Sequence, residues 1–463
     1  MNKNLVKIFI CVVVFIATFL PRLYRLNNPV ADWHSWRQAD TAAVARNFVK
    51  SDFNLLYPQS DSFLILNTAR LPNPNRYFIN EFPFYNAIVA VLYRQFGIHE
   101  SIARLVSVFF ASLGAVFLFW LTQRLFGYKI AALTSLFYAF NPYNIYYGRV
   151  IMPDPLFISL SIISLYLFVR YQFILFSLVF ALALLVKPYS IFILLPCFYW
   201  AIINRKLRQF FFSLISLVPF LLWRWHFNQH PEASFDTIWL FNGQNIRFTG
   251  AFFRWLIFDR MNRLIFATGG FVLFILGLLT SYLDKTRGLI LAWFLSVVAY
   301  MCIFAMGNVT HDYYQLPLMP VGAILVSFGF WHIVDSSRKF FIKTLNILLA
   351  VSLLVLSFAF GWYEVRGYFN INHPEIVTAG QAVDRLTPPD ALVIAPYNSD
   401  PAFLYQTNRY GWPEGVNLEA KVSQGAQFYI SVNFDSVEQY LESKCRIVSK
   451  TDVYALIDIQ NCL

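Results

Sequence analysis

Long apolar runs recur along almost the whole chain, and no other feature restricts its fold as strongly. A helix needs about 17–25 predominantly apolar residues to cross the hydrocarbon of a bilayer. After a first run ending at Leu20, candidate crossings lie near 101–123, 129–147, 155–170, 172–186, 189–203, 208–226, 263–283, 287–306, 316–334 and 341–360. Composition agrees with a membrane protein: 13% of the 463 residues are charged, against about 25% in a soluble domain. The formal net charge of +11 would otherwise suggest a nucleic-acid partner. Most of the excess sits in short clusters between apolar runs, where Lys and Arg set topology, so no such partner is expected.

One further apolar piece, 82–97, is short and interrupted by Pro83, Asn86 and Arg94. Its placement decides the topology. The basic clusters Arg124/Lys129, Arg170, Arg205/Lys206/Arg208, Lys285/Arg287 and Arg338/Lys339 all share the cytoplasmic side with Lys3 and Lys7 only if 82–97 does not cross. The expectation is therefore about 11 crossings, with the C-terminus outside the cytoplasm. The first run lacks a small-residue cleavage site after it and reads as an uncleaved helix.

Two regions stand apart from the bundle. The first outside loop, 21–100, is too long for a connector and rich in aromatic residues, so it is expected to carry interfacial helices near 38–50 and 84–97. Residues 367–463 read as a small α/β extracytoplasmic domain after a transmembrane domain spanning 1–366. The expected elements are helices over 376–386, 400–405 and 435–443, with strands at 391–396, 427–432, 446–449 and 453–458. Cys445 and Cys462 could pair there if this tail faces an oxidising compartment.

The densest chemistry lies in Asp32-Trp33-His34-Ser35-Trp36-Arg37-Gln38-Ala39-Asp40, directly after the first helix. Ionisable residues beside a membrane are costly and mark function by default. On the derived topology the same face also receives Glu81, Arg149, Asp154, Lys187 and His311-Asp312-Tyr313-Tyr314. Each has a plainer role to set beside this one. Trp33 and Trp36 fit an interfacial anchor, Asp154 a helix cap, Arg149 a headgroup contact, and Glu81 an acid near a helix start. Lys187 is harder to explain that way, because it interrupts an apolar stretch. No phosphate-binding glycine loop, HExxH or nucleophile-elbow pattern occurs.

Four stretches resemble GT-C membrane glycosyltransferases: HSWRQADTAAVARNF (34–48), NEFPFYN (80–86), YYGRVIMPDPLF (146–157) and HDYYQLPLMP (311–320). They are most similar to the bacterial relatives of protein O-mannosyltransferases and of lipid A aminoarabinose transferases. The resemblance implies a polyprenyl-phosphate-sugar donor and inverting transfer to a protein, lipid or glycan acceptor at the outer face of a bacterial cytoplasmic membrane. It also implies an early first-loop acid. His34 stands at that spacing from Arg37, so the acid falls to Asp40 or Asp32, with Asp154 matching the acid of the second loop. Arg37, Arg149 and Lys187 are the expected phosphate ligands. His34, Glu81, His311, Asp312, Tyr313 and Tyr314 are further substrate-binding candidates. A divalent cation bridged by Asp32 or Asp40 with Asp154 and His311 is chemically admissible. The rival functions are a transporter or flippase of a lipid-linked sugar, and a glycan ligase or polymerase.

Overall fold

The computed structural model describes residues 3–65, 67–281 and 284–463 of the chain, with side chains from Leu5 onward. Lys3, used above for orientation, therefore has its side chain outside the described residues, as do Tyr282 and Leu283 at the end of the 263–283 run. The chain divides into two compact units.

The first unit comprises residues 1–26, 105–224 and 237–367 and is helical. Among the described residues, six helical stretches are long and apolar enough to cross a membrane: Leu5–Leu23, Glu100–Phe126, Leu207–Asn228, Lys285–Ile303, Leu318–Asp335 and Phe340–Leu386. A seventh arises if Gly250–Ile265 and Ala267–Leu279, bent by 114° at their junction, count as one span. Asp154–Val169, Phe173–Val186 and Pro188–Ile203 are shorter apolar helices, and Tyr128–Phe140 follows Gly127. The expected runs thus reappear as helices at their expected positions. Length alone qualifies fewer of them as full crossings, because several helices break early at prolines and polar residues. The chain is a multi-pass membrane protein.

Small residues let the helices of this unit approach closely, as membrane packing requires in the absence of a hydrophobic drive between helices. A Cβ on Gly277 would lie 1.8 Å from the carbonyl oxygen of Leu325, and one on Gly329 would lie 1.9 Å from that of Leu273. Ala267–Leu279 and Leu318–Asp335 therefore touch backbone to backbone. Arg22, fully buried at the end of the first helix, donates to the carbonyls of Thr18 (2.7 Å), Ala139 (3.0 Å) and Asn144 (3.1 Å). It satisfies helix-end acceptors that no water reaches.

The second unit comprises residues 27–104, 225–236 and 368–463. Its sheet has five strands: β1 (Leu392–Ile394), β2 (Tyr410–Trp412), β3 (Ala426–Ser431), β4 (Arg446–Lys450) and β5 (Ala455–Asp458). They run in the order β2-β1-β3-β5-β4, with β1 parallel to β2 and β3 and the remaining pairs antiparallel. Pro374–Leu386, Pro401–Gln406 and Ser436–Lys444 are the expected helices. The carboxylate of Asp400 caps the second by accepting from the Ala402 amide (2.7 Å), and Asp435 caps the third through Val437 and Glu438. Cys445 and Cys462 are disulfide-bonded, closing the last hairpin onto the sheet.

The tail does not build this unit alone. Ser62 bridges to Gly411 on β2, Phe63 stacks on Trp412 with centroids 4.9 Å apart, and Phe63 N–H donates to the Gly411 carbonyl. The first loop thus extends the sheet edge. Its helices, Ser35–Lys50 and Phe84–Phe96, pack on each other through Val44, Phe48 and Ala90, all essentially buried.

Candidate active site

Helix Ser35–Lys50 positions most of the first-loop chemistry. His34 precedes it in the left-handed region (φ 56°), and its carbonyl accepts from the amides of Arg37 and Gln38. Trp33 stacks on Tyr368 at 4.8 Å. Asp32 is buried, with Arg104 3.7 Å away and Gln38 Nε2 donating to it at 2.6 Å. Arg37 lies one turn further on and forms a 2.7 Å ion pair with Glu81. The helix itself begins three residues after Glu81, so that carboxylate holds Arg37 rather than capping Phe84–Phe96.

Asp40 occupies a different setting. It is partly buried and lines a cavity of about 220 Å³ together with Trp36, Ser60, Ser62, Asn73, Tyr77 and Glu232, among others. Burial raises its pKa to about 7; nearby Arg37 opposes the rise, and Asp400 and Asp61 add to it. Asp61 in turn is ion-paired with Arg46, whose guanidinium lies over the Tyr405 ring at 4.1 Å and donates to the Tyr405 carbonyl. A carboxyl that titrates near neutrality beside an open cavity can accept a proton from a bound hydroxyl or amine. Among the three acids singled out from sequence, Asp32 and Asp154 are each held by a cation, whereas Asp40 faces the cavity.

In the helical unit, helix Asp154–Val169 starts at Asp154, and Lys187 ends the preceding turn of Phe173–Val186. Their side chains meet at 3.0 Å, both almost fully buried. Asp154 is thus an ion-pair partner rather than a side-chain cap. The Lys187 ammonium also lies 5.6–5.9 Å from the ring centres of Tyr313, Tyr314 and Tyr189. His311 stacks on Tyr313 and Tyr314. Asp312 accepts from the Tyr147 hydroxyl and has Arg260 at 4.0 Å, while Tyr143 donates to its carbonyl at 2.7 Å. Arg149 is fully buried and donates to the Arg25 carbonyl at 2.9 Å, instead of reaching outward to headgroups.

Gln38, Arg46, Asp61, Arg104, Tyr147, Glu232 and Arg260 are partners that sequence reasoning did not single out. Gln38 and Arg46 lie inside the 34–48 stretch and Tyr147 inside the 146–157 stretch, so all three were within reach. Arg104 reads as an ordinary helix-start cation, and Glu232 belongs to a loop without a motif. No three His, Cys, Asp or Glu side chains among the described residues gather closely enough to hold a metal ion.

Residues 80–225 match the family described as dolichyl-phosphate-mannose-protein mannosyltransferase. No curated protein matches the chain. The fold is similar to that of ArnT from Cupriavidus metallidurans bound to undecaprenyl phosphate, with a TM-score of 0.66 at 14% identity, covering 98% of this chain and 97% of that one. It is also similar to the apo oligosaccharyltransferase of Archaeoglobus fulgidus, with a TM-score of 0.59 at 9% identity over 93% of this chain and 69% of the other. The matched segment contains Glu81, Arg149, Asp154 and Lys187, and over nearly its whole length the chain has a fold similar to that of the glycosyltransferase ArnT.

Proposed function

We propose that the protein transfers a sugar from a polyprenyl phosphate to an acceptor hydroxyl or amine at the outer face of a bacterial cytoplasmic membrane, with inversion at the anomeric carbon. The observation that carries this reading is Asp40, a cavity-lining carboxyl poised near pH 7. Asp40 takes the acceptor proton as the acceptor atom bonds to the anomeric carbon. The bond from that carbon to the phosphate oxygen breaks, and polyprenyl phosphate leaves with the electron pair. Such a leaving group needs charge stabilisation rather than protonation, and positioned cations supply it. Arg37 is the cation close enough to Asp40 to lower its pKa. Lys187 and Arg149 are the cations of the helical unit in this reading. Asp32 and Asp154 orient cations: Arg104 in the first case, Lys187 in the second.

Two further observations support the reading. A protein of the same fold is bound to undecaprenyl phosphate. The Cys445–Cys462 disulfide suits a tail outside the cytoplasm. The test uses membrane vesicles with labelled polyprenyl-phosphate sugars, comparing wild type with Asp40→Asn, Asp32→Asn and Asp154→Asn. Covalent transfer that depends on Asp40 supports the reading. Sugar translocation without covalent transfer would instead identify a flippase.

A further inference from the structure

Away from the candidate active site, three helices of the helical unit line a second cavity, of about 320 Å³. The adjoining stretches 124–129, 284–287 and 335–339 together carry six Lys or Arg residues against two Asp, and of these Lys129, Arg287 and Asp335 line the cavity. The wall includes Lys129, Arg287, His332, Trp331, Phe328 and Asp335. Two of its cations sit on aromatic faces: the Lys129 ammonium is 3.9 Å from the Trp331 ring centre, and the Arg287 guanidinium is 4.9 Å from that of Phe328. Lys129 also pairs with Asp335 at 2.6 Å, with both side chains about half exposed. The Trp331 indole N–H has no acceptor among the described residues.

Basic turns at one end of a membrane bundle are ordinary topology determinants, and single exposed ion pairs there contribute little. A cavity that gathers a lysine, an arginine and an indole from three separate helices, Tyr128–Phe140, Lys285–Ile303 and Leu318–Asp335, is a different object. Its cations suit a phosphate: the Lys129 ammonium offers a point charge, and the Arg287 guanidinium offers the donors left by its bond to the Thr280 carbonyl (2.9 Å) and its approach to Asp284 (3.7 Å). Its apolar walls, Phe328 and Ile130, suit the glycerol and upper acyl carbons behind such a group. Asp335 tempers the positive charge, so the site discriminates between a diffuse anion and one that can displace a carboxylate from Lys129.

We propose that this cavity is a phosphate-binding site that takes the headgroup of an anionic membrane phospholipid at the cytoplasmic end of the bundle. Basic pockets between membrane helices on that side hold such headgroups. The proposal is independent of the transfer reaction.

The test is native mass spectrometry and lipid titration of the full-length protein in detergent, with phosphatidylglycerol, phosphatidylcholine and inorganic phosphate as probes. Wild type is expected to retain phosphatidylglycerol in preference to phosphatidylcholine. Lys129→Ala/Arg287→Ala is expected to bind it roughly 25-fold more weakly, from about a fivefold loss for each cation. Arg287→Lys controls for folding and should lose less than the double variant. Displacement of the lipid by millimolar phosphate would assign the site to the free anion, whereas retention assigns it to the lipid; either result carries a phosphate site. Equal binding by the wild type and a folded double variant, or equal retention of phosphatidylcholine, would overturn it.

Discussion

At the scale of single residues, the three candidate acids Asp32, Asp40 and Asp154 differ in what surrounds them, and that difference predicts separable phenotypes. Asp40 is ionised only above about pH 7, so transfer should rise with pH through that value and level off above it. Asp40→Asn should remove the rise and lower kcat about 10²–10⁴-fold, as loss of a general base does. The same shift has a consequence for stability. A carboxyl whose folded pKa lies above its ordinary 3.8 opposes folding when ionised, so its penalty grows between about pH 4 and pH 7 and is constant above. Asp40→Asn should therefore be more heat-stable than wild type at pH 8 and indistinguishable from it near pH 4. A melting curve that shows the variant less stable at pH 8 would refute the burial argument. Asp154 and Lys187 should behave in the opposite way. Removing one partner of a buried pair leaves an uncompensated charge and costs about 3–5 kcal/mol, whereas replacing both with apolar residues is often neutral. Lys187→Ala should melt far below wild type. Lys187→Met/Asp154→Leu should recover most of the stability yet stay inactive if Lys187 binds phosphate; a recovered double variant with full activity would show that the pair is only structural.

At the scale of elements, close helix contact in the bundle rests on glycines whose missing side chains are the contact. Gly277→Val places a branched side chain where a backbone carbonyl already sits, so the helix pair must separate. Overpacking of this kind costs about 1–3 kcal/mol and often more when backbone is the obstacle. Gly250→Ala meets nothing within 4 Å and should change stability by less than about 0.5 kcal/mol. Thermal unfolding of the two variants in one detergent makes the comparison, and equal melting temperatures would argue against the close approach. Elements also separate what could be read from sequence. The first-loop helices, expected near 38–50 and 84–97 from the length and aromatic content of the loop, lie at 35–50 and 84–96, and the tail helices were legible because hydrophobic spacing and an Asp before a Pro are local signals. β2 was not: Tyr410-Gly411-Trp412 is too short to show alternation, and Gly411 reads as a breaker. The extended backbone there presses against the Val393 carbonyl, which no residue larger than glycine allows.

At the scale of the whole molecule, orientation follows from charge. Reporter fusions after residues 126 and 207 should report the cytoplasm, and one after residue 463 the opposite side; a cytoplasmic tail would overturn the topology and with it the outer-face reaction. Membrane character, the positions of the helices and the four motif stretches were determined by the sequence itself, since hydropathy, basic turns and local caps act over a few residues. The surroundings of the three acids, by contrast, come only from tertiary structure. Asp154 meets Lys187 across 33 positions of chain, and Asp32 meets Arg104 across 72. Asp40 gains its cavity from segments as distant as Glu232 and Ser399. A carboxylate's role depends on whether a cation or an open cavity faces it, and only the folded chain brings either one to its side.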